Sequence, residues 1–181
     1  FVPTFVTIPA VGTSITFLIF AGILLLLSVL YFLSGKVKSV KAVVGCVIFV
    51  FACFFGSSDS FAFWEDDLTY EGESVYNYLQ VKEDDSAVYL STNVLFGVQS
   101  VYEKSETLTG MYYDYAMAAP MMAGIHDKPS QDILILGMGT GTFATQCQRY
   151  FGGETALNIE GVEIDEDITR LAREYFFLSE D

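Results

Sequence analysis

The first third of the chain is almost uniformly apolar and contains two runs without a charged residue. Residues 12–33 form the first run, whose helical length of about 33 Å exceeds the roughly 30 Å of a bilayer core. The second run ends at residue 58 and spans only about 26 Å, but Lys41 can extend to the interface while the bilayer thins. We therefore predict a membrane anchor over residues 1–56, with transmembrane helices at about 12–33 and 41–58. A buried core helix is the alternative for the second run.

The pattern after the anchor is that of a domain in water. Residues 57–73 are rich in acids and are predicted as a linker. From residue 74, apolar and polar positions alternate and Val and Tyr are frequent, as is typical of β-strands. We predict a small antiparallel β-domain over 74–107, with strands at 74–82, 87–92 and 94–103 and a turn at 83–86. Residues 108–131 are predicted as a connecting helix and loop, in which Pro120 ends or kinks the helix.

Residues 132–181 follow the order of a nucleotide-binding fold. The short apolar run at 132–136 is typical of a buried parallel strand, and it leads directly into the glycine-rich residues 137–141. A helix is predicted next, over 142–151, then a second strand at 157–165 and a helix at 165–177 that Asp165 caps. The predicted fold is thus two transmembrane α-helices, a small antiparallel β-unit and the start of an α/β Rossmann-like domain.

The residues between these strands and helices have the chemistry of a nucleoside site. Gly137, Gly139 and Gly141 allow a tight turn and the close approach of a ligand to backbone N–H groups at a helix N-terminus. Glu163 lies at the end of the second strand, where a carboxylate can accept hydrogen bonds from ribose hydroxyls. The alternative is a glycine-rich turn in some other α/β protein.

Composition and charge exclude several classes of protein. All 23 acidic residues and six of the nine bases follow residue 56, so this part carries a charge of −17, against +3 for the anchor. Such an acidic domain repels phosphates, and we predict no nucleic-acid partner. Three cysteines do not make a disulfide framework, and no cysteine or histidine cluster has metal-ligand spacing, so we predict no metal.

The loop between the two apolar runs predicts an orientation in the membrane. It contains three lysines and no acid: Lys36, Lys38 and Lys41. The positive-inside rule places such a loop in the cytoplasm. Two spans then put the acidic domain on the opposite side.

Several short motifs resemble those of the spermidine synthases, or aminopropyltransferases, in both order and spacing. The similar segments are Glu71-x-x-Ser74-x-Tyr76-Asn77 (E-x-x-S-x-Y-Q in the family), 97–100 (G-x-x-Q-s), Tyr112-Tyr113-Asp114 followed by Pro120 (Y-H-E…H-x-P), 137–141 (G-G-G-D-G-G), 162–165 (V-E-I-D) and 173–176 (R-x-Y-F). The resemblance implies a β-domain followed by a Rossmann-like domain of the S-adenosylmethionine-dependent methyltransferase type. It covers about residues 71–177.

The resemblance also implies ligands and site residues. Decarboxylated S-adenosylmethionine, or S-adenosylmethionine, is the expected cofactor, held by Gly137, Gly139, Thr140, Gly141 and Glu163. A polyamine is the expected substrate, and its binding residues are expected to be Asn77, Gln99, Tyr112 and Asp114. The family's catalytic aspartate follows later strands and is expected beyond Asp181. We also expect the two-strand nucleotide fold to be completed by further residues or by a partner, since its edge is open.

Differences from the family pattern leave three functions open. The family's loop acid is Thr140 here, its Gln is Asn77, and its Y-H-E histidine is Tyr113. Because a cationic amine needs carboxylates when it leaves water, the loss of the loop acid and the shortening of the Y-H-E glutamate to Asp114 weaken the case for aminopropyl transfer. The second possibility is a non-catalytic subunit of a larger membrane complex, with Gly22 and Gly45 among the small residues that allow a partner helix to approach the lipid-embedded anchor. The third is a methyltransferase-like enzyme.

Overall fold

The chain divides into two compact units, Phe1–Phe61 and Ala62–Asp181. The computed structural model describes residues 1–34, 40–56, 60–62, 64–105 and 108–179. Each unit is described by itself.

The first unit consists of two apolar helices. A π-helical segment, Pro3–Thr7, continues into α1, Ile8–Ser34. The helix is interrupted at Gly12, whose φ of 78° is a conformation that glycine adopts without steric cost. The Thr16 hydroxyl donates to the Gly12 carbonyl at 2.7 Å, so an acceptor near the interruption is satisfied within the chain. The second helix, α2, spans Val40–Phe55.

Glycines allow α1 and α2 to pack closely. A Cβ atom at Gly22 would lie 3.0 Å from Cζ of Phe49, and one at Gly45 would lie 3.3 Å from Cδ1 of Leu25. Each glycine therefore accommodates a large side chain of the other helix, which is how small residues function in membrane helix pairs. The two glycines expected to serve a partner protein are used within this unit.

One helix in the described part of the chain is long and apolar enough to cross a membrane. It is the apolar stretch Pro3–Ser34, which includes the interruption at Gly12. The second helix has 16 residues and is about 24 Å long. It is shorter than the predicted span of residues 41–58 and shorter than a bilayer core of about 30 Å. None of the α2 residues is buried, so it is not a core helix of this unit. Residues 57 and 58 of the predicted second span, and Lys36 and Lys38, lie outside the described residues.

The second unit begins with a four-stranded antiparallel sheet in the order β1-β2-β3-β4. Its strands are Leu68–Glu73, Tyr78–Glu83, Ala87–Ser91 and Val98–Glu103. The first strand lies where the sequence predicts an acidic linker. Its acids are not simply solvated: the Glu71 carboxylate accepts from the Ala62 backbone N–H at 2.9 Å and from the Tyr78 hydroxyl. Residues 74–77, predicted as strand, form the loop between β1 and β2, closed by a bond from Ser74 N–H to the Asn77 carbonyl.

Two short helices and a 3₁₀ turn connect this sheet to the nucleotide-binding elements. The helices α3 and α4 span Tyr112–Ala116 and Ala118–Met122, and the turn is Ile125–Asp127. The single helix predicted in this stretch is therefore divided. Pro120 lies within α4 and is buried.

A β-α-β-α unit completes the described chain. It comprises β5 Ser130–Leu136, α5 Thr142–Phe151, β6 Ala156–Val162 and α6 Glu166–Tyr175. The strands β5 and β6 are parallel, as predicted. Asp165 caps α6 by accepting from the Asp167 N–H at 3.1 Å, which confirms the predicted cap. This arrangement is that of a partial Rossmann-like unit.

The two terminal helices pack on different sheets. Cys147 and Phe151 of α5 pack with Met117 and Ile125 against one face of the β5–β6 pair. In contrast, Leu171 of α6 and its neighbours pack on the antiparallel sheet, in a cluster of Leu79, Val81, Val88, Leu90, Ile168, Leu171 and Phe176. The opposite face of the β5–β6 pair leaves Leu136 76% exposed.

We predict that Leu171→Ala destabilises the second unit by about 2–5 kcal/mol, because it opens a cavity where α6 meets the antiparallel sheet. Urea unfolding of the detergent-solubilised chain, followed by fluorescence of its single tryptophan, Trp64, measures this unit alone. Leu136→Ala is the matched control and should change the free energy of unfolding by less than about 0.5 kcal/mol. Equal effects of the two substitutions would contradict the packing of α6 described above.

Candidate functional site

The glycine loop, residues 137–141, connects the carboxyl end of β5 to α5. Its three glycines have φ values of 73°, 60° and 86°, all in the left-handed region that disfavours other residues. Space is also restricted, since a Cβ atom at Gly139 would lie 2.7 Å from the Ser100 Oγ. Backbone conformation and close packing against β4 thus both require glycine at position 139.

All five backbone N–H groups of the glycine loop have partners within the chain. Those of Gly137 and Met138 donate to the Val162 carbonyl, and that of Gly141 donates to the Met138 carbonyl. The Gly139 N–H donates to the Glu163 carboxylate at 2.8 Å, and the Thr140 N–H donates to the Ser100 Oγ at 3.3 Å. A phosphate cradle needs N–H groups that point at the anion. This loop therefore suits a nucleoside better than a nucleotide phosphate.

Glu163 lies directly beyond β6, at the same edge of the sheet as the glycine loop. Its Oε2 atom accepts from Gly139, and its Oε1 atom accepts from the N–H groups of Ile164 at 2.9 Å and Asp165 at 3.1 Å. A carboxylate has about four acceptor positions, so one remains for a ribose hydroxyl. A second hydroxyl would compete with the Gly139 N–H.

A groove of about 560 Å³ borders Glu163 on the outer side of α6. Its lining has both charges: Glu163, Ile164, Glu166, Asp167, Thr169, Arg170 and Arg173. Arg170 forms ion pairs along the helix with Asp167 at 3.1 Å and Glu174 at 3.2 Å. Such exposed pairs contribute little to stability, so these side chains can rearrange around a ligand.

Asp165 connects the nucleotide-binding elements to the β1–β2 loop. Its side chain is 1% exposed, and its Oδ2 atom accepts from the Ser74 hydroxyl at 2.6 Å and from the Asn77 amide at 2.8 Å. The sequence indicated Asp165 only as a helix cap, and Asn77 as a substrate contact. Sequence reasoning missed that two motifs far apart in the chain, Ser74-x-x-Asn77 and Glu163-x-Asp165, are hydrogen-bonded to each other.

Two threonines at the start of α5 lie against β4. The Thr142 Oγ1 accepts from the Val101 N–H at 3.0 Å and donates to the Val101 carbonyl at 2.9 Å. It thus satisfies two backbone groups of the edge strand β4 that a neighbouring strand would otherwise bind. Thr140 is 2% exposed. The position where the resemblance implies an acid is therefore neutral and enclosed.

Three of the four residues expected to bind the amine, Gln99, Tyr112 and Asp114, lie on or near α3, whereas Asn77 lies in the β1–β2 loop. The Tyr113 hydroxyl donates to the backbone carbonyl of Gln99, and the ring centroids of Tyr112 and Tyr113 are 4.0 Å apart. Burial raises the pKa of Tyr113 far above its usual value, and Tyr112 adds to the shift, so Tyr113 remains a donor. The Gln99 and Tyr112 side chains are exposed.

Asp114 holds the segment that leads into α3. Its carboxylate accepts from the Thr109 N–H at 3.0 Å, the Thr109 hydroxyl at 2.8 Å and the Gly110 N–H at 2.7 Å. Burial raises the pKa of Asp114, but these hydrogen bonds outweigh it and the net pKa is lowered. This acid therefore shapes the loop beside Tyr112.

The fold and the site define a class of protein: an antiparallel sheet joined to a Rossmann-like unit whose glycine loop and strand-end acid suit a nucleoside. Comparison with known proteins supports a relationship to one family. The chain is 54% identical over 147 residues to a protein of Bifidobacterium longum (strain NCC 2705) described as "Probable polyamine aminopropyl transferase". The chain is thus related to the spermidine synthase family, which confirms the resemblance in its motifs.

The match covers the two chains unequally. It includes 81% of this chain, which spans 31% of the length of the relative. No family profile matches the chain. No solved structure matches it.

We predict that Asp114→Asn lowers the free energy of unfolding by about 1 kcal/mol at pH 7, because the amide replaces one charge-assisted acceptor with a donor. The folded-state pKa is depressed, so the carboxylate stabilises the fold above the usual aspartate value of 3.8 and loses this effect as pH falls below it. Urea unfolding at a series of pH values should show wild type and variant converging in acid. The control is Asp127→Asn, at an exposed position. A gap that is constant with pH would contradict this role.

Proposed function

We propose that the chain is a membrane-anchored aminopropyltransferase-like protein that binds decarboxylated S-adenosylmethionine at the carboxyl ends of β5 and β6. The observation that carries this proposal is the direct bond between Gly139 and Glu163, at 2.8 Å, in a loop that has no N–H group left for a phosphate. A ligand with a ribose and no phosphate fits that arrangement. The name of the Bifidobacterium relative adds an aminopropyl group and a polyamine to this proposal.

Each proposed ligand residue has a physical role. Glu163 accepts a hydrogen bond from a ribose hydroxyl at its remaining acceptor position, because its carboxylate lies at the end of β6. Gly137, Gly139 and Gly141 allow the adenosyl group to approach the backbone, whereas the enclosed Thr140 offers the donor no charge. When bound, the donor supplies an aminopropyl group to an attacking amine. The base that deprotonates this amine is not assigned among the described residues.

The polyamine is proposed to bind beside α3. The ring of Tyr112, 59% exposed, offers a π-face to an ammonium group, and the Gln99 amide offers an acceptor. Asp114 contributes by fixing the loop, and its lowered pKa keeps it charged near the amine. The negative charge of the domain raises the local concentration of polycations.

Methyl transfer is the second candidate function, and Thr140 is the observation that favours it. A carboxylate at this position would hold the amine of the decarboxylated donor, whereas a buried threonine has no charge to offer. The affinities of the chain for S-adenosylmethionine and for its decarboxylated form, measured in parallel, discriminate between the two. Tighter binding of S-adenosylmethionine would favour methyl transfer.

Membrane anchoring is proposed for both apolar helices. The helix ending at Ser34 has the length and hydropathy of a span, and α2 leaves large side chains such as Phe51 and Phe54 exposed. Contiguous apolar surface of this kind is expected to contact lipid or other membrane helices. With two spans and a cytoplasmic lysine loop, the second unit lies on the opposite side of the membrane.

We predict that Glu163→Gln weakens binding of decarboxylated S-adenosylmethionine and of its thioether product, methylthioadenosine, by about ten- to a hundredfold, because charge-assisted hydrogen bonds to the ribose are lost. Calorimetric titration of the detergent-solubilised chain measures the dissociation constants. Glu160→Gln, on the exposed surface of β6, is the matched control and should bind as wild type. Wild-type protein that binds none of these ligands would contradict the proposal and favour the accessory role.

We predict that the chain stays in the membrane fraction after alkaline carbonate extraction, and that Leu24→Arg combined with Leu27→Arg releases part of it, since each arginine costs about 2.5–3.5 kcal/mol at mid-membrane. Protease added to intact cells should cleave the second unit. Protection of that unit would contradict the two-span arrangement and would place the domain in the cytoplasm, with its nucleoside donors. Leu136→Arg, at an exposed position outside the anchor, is the control.

A further inference from the structure

A continuous series of hydrogen bonds leads from the β1–β2 loop to the glycine loop. It begins with Ser74 and Asn77, which donate to the Asp165 side chain at 2.6 Å and 2.8 Å. The Asp165 backbone N–H then donates to Glu163 at 3.1 Å, and the same carboxylate accepts from Gly139 at 2.8 Å. We call the first part of this series, formed by Ser74, Asn77 and Asp165, the bridge.

The bridge has little freedom to rearrange. A carboxylate that is 1% exposed is stable only where donors compensate for lost water, and Asp165 has three: Ser74, Asn77 and the Asp167 N–H. Ser74 is itself oriented, since its oxygen accepts from the N–H groups of Tyr76 at 3.1 Å and Asn77 at 2.9 Å. Its hydroxyl proton has its nearest acceptor in Asp165, at 2.6 Å, and a more distant one in the Asn77 carbonyl, at 3.3 Å.

We propose that the bridge is a positioning device for Glu163, and that Asn77 acts through it rather than by touching a ligand. Asp165 is two residues from Glu163. Its side chain accepts from Ser74 and Asn77, and its backbone N–H donates to Glu163. Its side chain fixes the backbone N–H that in turn fixes the Glu163 carboxylate. The consequence for affinity rests on the proposed function, in which this carboxylate holds the ribose.

The bridge accounts for the asparagine at position 77. The resemblance implies a glutamine there that reaches a ligand, but the shorter Asn77 side chain already donates to Asp165. Its substitution should loosen Glu163 without removing a ligand contact. Substitutions within such networks typically alter binding about 2- to 30-fold, which is the change we expect in the dissociation constant of methylthioadenosine.

Amide exchange at Gly139 tests the bridge independently of any ligand. In the full chain in detergent, Asn77→Ala and Asp165→Asn should accelerate exchange of the Gly139 N–H about tenfold, because its acceptor becomes mobile. The double variant Asn77→Asp with Asp165→Asn should restore protection. In that variant the amide at position 165 donates to the carboxylate at position 77, and its oxygen still accepts from the Asp167 N–H.

A matched control separates positioning from general loss of stability. Thr155 is about as buried as Asp165, at 2% against 1% exposure, and its hydroxyl donates to the Ile125 carbonyl at 2.9 Å, away from the glycine loop. Thr155→Val should lower stability with no selective effect on Gly139. If Asp165→Asn impairs folding, Ser74→Ala and Asn77→Ala remain as milder variants of the same bridge.

The ligand measurement adds a second criterion. If Asn77 acts through Glu163, Asn77→Ala should weaken methylthioadenosine binding in the wild-type background and have no further effect in Glu163→Gln. Unchanged Gly139 exchange in the bridge variants, or full additivity with Glu163→Gln, would overturn the inference. Failure of the wild-type chain to bind methylthioadenosine would instead refute the proposed function, while the exchange data still decide whether the bridge positions Glu163.

Discussion

The packing of α6 on the antiparallel sheet is the interaction on which the candidate site depends. Leu171 and Phe176 are buried against strands that belong to the first half of the unit, although α6 itself follows β6 in the chain. Burial of two such side chains stabilises the contact by several kcal/mol, at about 1.5–3 kcal/mol each. The N-terminus of α6 is thereby fixed, and with it Asp165 and Glu163. Without this contact, Glu163 would lie on a short connection between β6 and an unanchored helix, and its position would not be fixed.

A second contact fixes the glycine loop from the other side. Thr142 bonds to both backbone groups of Val101 on the edge strand β4, and Ser100 accepts from Thr140. The loop is therefore held between β4 and Glu163. The bonds to Ser100 and Glu163 occupy two of the loop's five N–H groups, and the Val162 and Met138 carbonyls accept from the other three. The bonds that hold the loop therefore also leave none of its N–H groups free for an anion.

Local sequence signals predicted the nucleotide-binding elements well, and they failed where a partner is distant in the chain. The bounds of α5, the parallel pairing of β5 with β6, and the cap at Asp165 follow from periodicity, glycine placement and capping chemistry. The meeting of the glycine loop with Glu163 was also predictable, because carboxyl ends of parallel strands share one edge.

The strand β1 was missed because its acids resemble a solvated linker until Tyr78 and Ala62 are seen to donate to Glu71. The bond from Ser74 to Asp165 joins residues 91 positions apart, and no local pattern encodes such a pairing. Nor does the amphipathic pattern of α6 say which of two sheets it will cover. These failures share a cause, since each depends on tertiary contacts that override local preference.

Thr140 is uncharged and buried, and this limits the ligand groups that the glycine loop can bind. In a water-poor setting, an ammonium group is stable only beside a carboxylate or over an aromatic face, and the glycine loop offers neither. The nearest acid of α3, Asp114, already accepts three hydrogen bonds from Thr109 and Gly110. In the proposed function, the adenosyl half of the donor therefore has a built site, whereas the amine half would rely on Tyr112 and on the field of the acidic surface. Because such a field is long-ranged and screened by salt, it concentrates polycations without selecting among them. The selectivity of the proposed site is therefore expected to reside with the nucleoside, at Glu163.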